Sequence, residues 1–185
     1  FELRENLKQA IDQGPDIEIK QIFCANKKEI LQKVFDSDQG LRDDDASNDE
    51  GSDLENLSIV ISLLEQCGMP TKDEVGEIPM TAIWLVFQHA GKEYRKKYFS
   101  HLKEAALKGD LDISAISLME DRMLMDDGKP QIYGSQVIKN QQTGKWELYK
   151  LQSPAMVDKR RAVVGMGPLS EYLTRWDISF DVPQQ

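Results

Sequence analysis

Few residues in this 185-residue chain could do chemistry, and the two histidines and two cysteines come first. His89 closes the apolar run Ile83–Ala90 (IWLVFQHA). It therefore falls at the C-terminal end of an expected helix, where the helix dipole favours a protonated ring. There it could serve as general acid, general base or ligand at the floor of a pocket. It could equally bond a free terminal carbonyl. His101 lies in a lysine-rich amphipathic run and reads as a surface residue.

Asp121 and Arg122 are adjacent within Leu118–Met125, so on a helix they point about 100° apart. Both flank the apolar face, where a charge must be paired or hydrogen-bonded. One reading makes Asp121 a base or ligand anchor and Arg122 an anion clamp. The other makes them part of an ion network with Asp38, Arg42 or Arg161. Arg161 follows Val157 by four and precedes Val164 by three, which turns it inward as a fork for a carboxylate or phosphate. Asp38 and Arg42 are four apart and can meet on one helix face. Gln131, Tyr133 and Gln136 belong to an expected strand that also holds Gly134, and a strand glycine often marks close approach by a ligand or another backbone.

Other chemistries lack their residues. The chain has no G-x-S-x-G, Walker loop, G-x-G-x-x-G or H-E-x-x-H. Two histidines and two distant cysteines do not make a zinc site, and nothing pairs Cys24 or Cys67 with His89 as a nucleophile. No cofactor or metal is expected. Two thiols form no disulfide framework, and Cys67 reads as a small buried side chain.

The elements that must position these residues are mostly helices. Apolar spacing predicts them over 1–10, 27–41 (capped by Asn26), 54–67, 79–90, 92–108, 113–126 (capped by Asp112 or Ser114), 154–164 and 168–176. Residues 16–23 read as a short strand or an irregular link, and Thr71–Glu77 as a loop. One β signal stands out: Gln131–Lys139 and Lys145–Leu151 are rich in Ile, Val, Tyr and Trp and flank Asn140–Gly144, a hairpin. The expected fold class is mainly α (α+β), a compact single domain over 1–185 of about seven helices with one β-hairpin.

Charge narrows the partners. The net charge is −9, and six negatives lie within the acidic stretch 43–53, leaving −3 elsewhere. That stretch reads as a flexible loop; as a calcium loop it would put Ala46 in the first ligand position. The basic footprint that DNA or RNA binding needs is missing, so nucleic acid is not an expected partner. No apolar run of about 18 residues is present, so no transmembrane segment is expected. The tail over 177–185 reads as loose.

Several blocks together resemble a family. VFQHA, MEDR (119–122), GKPQIYGSQ (128–136) and VDKRRAVVGMGPLSEYL (157–173), with Asp38-Gln39-x-x-Arg42 and Cys67-Gly68-Met69-Pro70 upstream, are similar to the bacterial domain-of-unknown-function family 6624. Ser135, Met69 and Met166 stand where the family usually has Thr, Trp and Leu. The resemblance carries no activity. It implies that Asp38, Gln39, Arg42, His89, Asp121, Arg122, Gln131, Tyr133, Gln136, Arg160 and Arg161 recur. It also implies a form exported to the periplasm, secreted or lipid-anchored, with a cytoplasmic location left open.

The leading expectation is a polar pocket framed by His89, Asp121, Arg122, Gln136 and Arg161. Tyr133, Arg160, Asp38, Gln39 and Arg42 would be further binding residues. It would take a small anionic or zwitterionic ligand, with His89 and Asp121 able to turn it over. The alternative is a non-enzymatic interaction module, an immunity or envelope partner protein. There the polar set only fixes helix packing. A third reading is a metal-dependent hydrolase built on His89 and Asp121.

Overall fold

The computed structural model of the chain describes residues 17–43 and 50–185, and the side chains of 17–40 and 53–185. The helix expected over 1–10, most of the acidic loop and the side chain of Arg42 lie outside those residues. Among the described residues the fold is mainly α, with eight α-helices and one two-stranded antiparallel hairpin. The chain divides into two compact units, one ending at Leu111 and one spanning Asp112–Gln185.

The first unit contains α1 (Lys27–Asp43), α2 (Glu50–Cys67), α3 (Lys72–Val75), α4 (Glu77–His89) and α5 (Lys92–Leu107). α1 packs chiefly on α4. Leu31 and Val34 of α1, and Met80, Ile83 and Phe87 of α4, are almost wholly buried. Tyr98 of α5 stacks on Phe87 with ring centroids 4.8 Å apart. α4 is not apolar-buried all round as its composition suggests: Ile78 is half exposed and Thr81, Trp84, Leu85 and Gln88 are only partly covered. The expected loop over 71–77 contains the short helix α3. Its start is closed by the Thr71 amide donating to the Glu74 carboxylate (2.9 Å), a capping-box contact. Residues 50–53, expected to be loop, begin α2.

Residues 17–23 form neither helix nor strand. They run along α2, held by Ser58, Ser62 and Gln66, one residue per turn. The Ser58 hydroxyl donates to the Glu18 carbonyl; the Lys20 amide donates to Ser62 Oγ (2.8 Å). Gln66 accepts from the Ile22 amide (3.1 Å) and donates to the Lys20 carbonyl (2.6 Å). Cys24, in the one-turn 3-10 helix that follows, is disulfide-bonded to Cys67 with Cα atoms 5.6 Å apart. This corrects the reading of Cys67 as a merely buried thiol. Pairing depended on residues 17–23 running alongside α2 in the same direction, which no cysteine spacing reveals.

The second unit starts with α6 (Ile113–Asp126), whose N-terminus is capped by Asp112 accepting from the Ser114 amide (2.8 Å). The hairpin pairs β1 (Val137–Lys139) with β2 (Trp146–Leu148), setting Val137 opposite Leu148 and Lys139 opposite Trp146. Its loop is tied by Asn140 Oδ1, which accepts from the Gln142 and Thr143 amides. The strands are shorter than expected. Gln131–Gln136 is not a strand, apart from a single parallel bridge between Gln131 and Leu151. Then come a 3-10 turn, α7 (Val157–Val163), α8 (Leu169–Leu173) and a second 3-10 turn to Trp176. Val157, Leu169 and Leu173 form a core under Val137, Leu148, Tyr172 and Phe180. In the segment expected to be loose, the Gln185 amide donates to the Ala155 carbonyl (2.9 Å). Gln184 accepts from the Asp158 amide (3.1 Å).

The Cys24–Cys67 bond closes a loop of 43 residues. Chain entropy assigns such a closure about 4 kcal/mol of stability. A Cys24→Ala/Cys67→Ala variant is expected to lose roughly that amount in urea unfolding. The unfolded, unreduced wild type is expected to show no thiol reactive to a colorimetric reagent.

Candidate functional site

α6 carries Asp121 into the interior of the second unit, where its side chain is fully buried. A buried carboxylate needs donors on both oxygens. The loop that follows α6 supplies them. The Ile132 amide donates to Oδ1 at 2.6 Å, and the Tyr133 amide reaches Oδ1 at 3.0 Å and Oδ2 at 3.2 Å. The Ser135 amide and hydroxyl both donate to Oδ2 at 2.9 Å. Three amides within four residues facing one point require a tight bend, and Gly134 provides it with φ +75°. A Cβ on Gly134 would also lie 2.7 Å from Leu169 Cδ1, so two constraints select glycine there.

Gln131 locks the other side of the loop and is also fully buried. Its side chain donates to the carbonyls of Gln136 (2.9 Å) and Tyr149 (3.0 Å) and accepts from the Gln136 amide (2.8 Å). An amide side chain is the right tool, because it can donate and accept at once where a strand neighbour is missing.

The two arginines of α7 close the same loop from below. Arg160 donates to the carbonyls of Ile132 (2.8 Å), Gln152 (2.5 Å) and Ser153 (3.3 Å). Arg161, almost fully buried, donates to Tyr133 (2.7 Å) and Gly167 (2.6 Å) carbonyls and lies over the Tyr172 ring at 4.9 Å. The Tyr172 hydroxyl donates to the Ser135 carbonyl (3.1 Å). Burial pulls both guanidinium groups below their ordinary value, with the Asp121 charge opposing it. Thus Asp121 takes the amides of residues 132, 133 and 135 while the arginines take the carbonyls of 132 and 133. The loop backbone is held at both polarities.

The expected site residues distribute accordingly. Asp121, Tyr133, Gln136, Arg160 and Arg161 come together around this loop, with the Gln136 side chain donating to Ser135 Oγ at 3.0 Å. Arg122 follows Asp121 on α6, half-buried, and its Nε makes no hydrogen bond among the described residues. In the first unit, Asp38 is buried and accepts from Gln39 Nε2 at 2.9 Å, both on α1. His89 ends α4 with its side chain exposed, not sunk at a pocket floor. Among the described residues no group of three or more His, Cys, Asp or Glu could hold a metal ion.

A second arrangement was not foreseen. Between the end of α2 and α5 lies an open pocket of about 230 Å³ lined by Leu64, Glu65, Met69, Lys97, Tyr98 and His101. The Tyr98 hydroxyl donates to Glu65 Oε1 (2.6 Å), and Lys97 Nζ lies 3.6 Å from the same oxygen. The hydrogen bond from Tyr98, then the Lys97 charge, hold the Glu65 carboxyl below its usual range. Burial and the Glu65 carboxylate push the Tyr98 phenol up. Only the Gly68 turn hinted at this place, since it is where the chain leaves α2.

The described residues are mainly helical, fall in two compact units and carry one disulfide. The chain belongs to the family described as "Family of unknown function (DUF6624)", whose model matches residues 25–182. No curated protein and no solved structure matches the chain.

Two outcomes follow for these residues. Asp121→Ala leaves buried amides without an acceptor and is expected to cost at least about 3 kcal/mol in urea unfolding, with Asp121→Asn intermediate. A depressed carboxyl contributes stability above its unfolded value and loses it as pH falls through the folded one. Glu65 is therefore expected to titrate below the ordinary glutamate range by NMR, and Tyr98→Phe, which removes the largest cause, to move the midpoint back up.

Proposed function

We propose that this chain is a non-catalytic interaction module working in an oxidising compartment, in which Asp121, Gln131, Arg160 and Arg161 hold one loop in shape. The observation that carries this is the Asp121 carboxylate. Both oxygens are occupied by loop amides and the Ser135 hydroxyl. A general base needs a lone pair within reach of the substrate proton, and this one has none to offer. Arg160 and Arg161 direct guanidinium N–H groups at loop carbonyls, which supports a structural role for them. The Cys24–Cys67 disulfide supports the oxidising compartment, because such bonds persist where thiols are not kept reduced. The hairpin offers a surface to a protein partner: Trp146 is 44% exposed and lies opposite Lys139 on the same face.

One observation favours a small zwitterionic ligand instead, at a different place from the expected one. The pocket between α2 and α5 sets the Glu65 carboxylate beside Lys97 and His101 over an apolar floor of Leu64 and Met69. That is the charge pair an amino acid or short peptide presents in reverse.

Thermal-shift titration with phosphate, free amino acids and dipeptides separates the two readings, using wild type, Asp121→Asn, Arg161→Lys and Glu65→Gln. The module reading expects no ligand shift in any of them and lower melting temperatures for the first two variants. A ligand shift lost in a well-folded Asp121→Asn or Arg161→Lys overturns it. A shift lost only in Glu65→Gln favours the pocket.

A further inference from the structure

The geometry points to a self-pairing edge: two copies of this chain join through residues 19–23 as antiparallel strands. The inference does not depend on the function proposed above.

The case begins with the backbone of residues 17–23. In extended chain, the N–H and C=O of one residue point to one side and those of the next to the other. Here the even residues Glu18, Lys20 and Ile22 direct theirs at Ser58, Ser62 and Gln66 of α2. The odd residues therefore direct theirs away. The amides of Ile19, Gln21 and Phe23 and the carbonyls of Ile19 and Gln21 make no hydrogen bond with any described residue. This is a row of unpaired backbone groups, the feature that folded proteins cover or charge at a strand edge.

The edge is held in place before any partner arrives. Four side-chain bonds from α2 fix the segment, and the Cys24–Cys67 bond pins its end. A preformed strand loses little conformational freedom on pairing.

The side chains say what pairs with it. Ile19 and Phe23 are 56% and 66% exposed and, being four apart in extended chain, share one face with Gln21 between them. When the segment meets its own copy antiparallel about Gln21, every outward residue meets an outward residue. Gln21 lies opposite Gln21 of the second copy, and Ile19 lies opposite Phe23 at both ends. Aliphatic–aromatic pairs of this kind are favourable across strands. The register is self-complementary, which is what a two-fold interface requires. An interface of five residues a side is small and gives a weak, concentration-dependent dimer.

Sedimentation equilibrium of the full chain from about 10 µM to about 1 mM tests this, at the scale expected of weak encounters. The mass is expected to rise from 21.1 kDa towards twice that value. Ile19→Lys and Phe23→Glu are each expected to weaken association at least tenfold, with melting temperatures unchanged, because both side chains face water in the single copy. The double variant Ile19→Lys/Phe23→Glu puts Lys opposite Glu at both ends and is expected to restore it. Gln21→Pro removes an outward amide and is expected to abolish pairing. A chain that stays at 21.1 kDa throughout, or single variants that pair as well as wild type, overturns the inference. So does a double variant no better than the singles.

Discussion

A buried negative charge with no counter-ion in contact among the described residues governs the second unit. The Asp121 carboxylate is wrapped by the chain that immediately follows its own helix, at sequence separations of 11 to 14 residues. In a low-dielectric interior a bare carboxylate is intolerable, so the loop must present its amides or the unit opens. Everything else about the loop follows. Pointing consecutive amides inward turns carbonyls outward, and Arg160 and Arg161 meet those carbonyls. The bend needs Gly134, and Gly134 lets Leu169 approach. Gln131 then substitutes for the strand neighbour that the bent loop lacks.

The first unit rests on a different device. Its core is an ordinary packing of α1 on α4 with Phe87 stacked on Tyr98. What is particular to it is the polar stripe Ser58, Ser62, Gln66 on α2, which accepts an extended segment as a neighbouring strand would. Both units thus use side chains to satisfy backbone that has left regular structure.

Legibility followed locality. Helix ends were readable wherever a cap is a local matter: Asp112 before α6 needed only its neighbours. Asp121 and Arg161 were readable as inward charges, because spacing alone put them beside apolar residues. Their partners were not, since spacing does not say whether an inward aspartate meets an arginine or a peptide N–H. Gln131–Gln136 resembled a strand through Ile132 and Tyr133, yet Gly134 in the left-handed region bends it. The disulfide and the Glu65–Tyr98 contact join residues 43 and 33 apart in sequence, beyond the range of any local pattern. His89 lies exposed because the last turn of its apolar run faces out, which the run's composition does not reveal.

Arg160, Arg161 and Tyr172 lie late in the chain, while the carbonyls they hold at Ile132, Tyr133 and Ser135 are made about 30 to 40 residues earlier. During synthesis α6 and its loop therefore emerge before the groups that fasten them. Until α7 and α8 clear the ribosome, the aspartate can stay hydrated on a frayed helix rather than sealed in. The unit accordingly forms late and as a whole, and a chain cut short before α7 leaves the loop open to proteases.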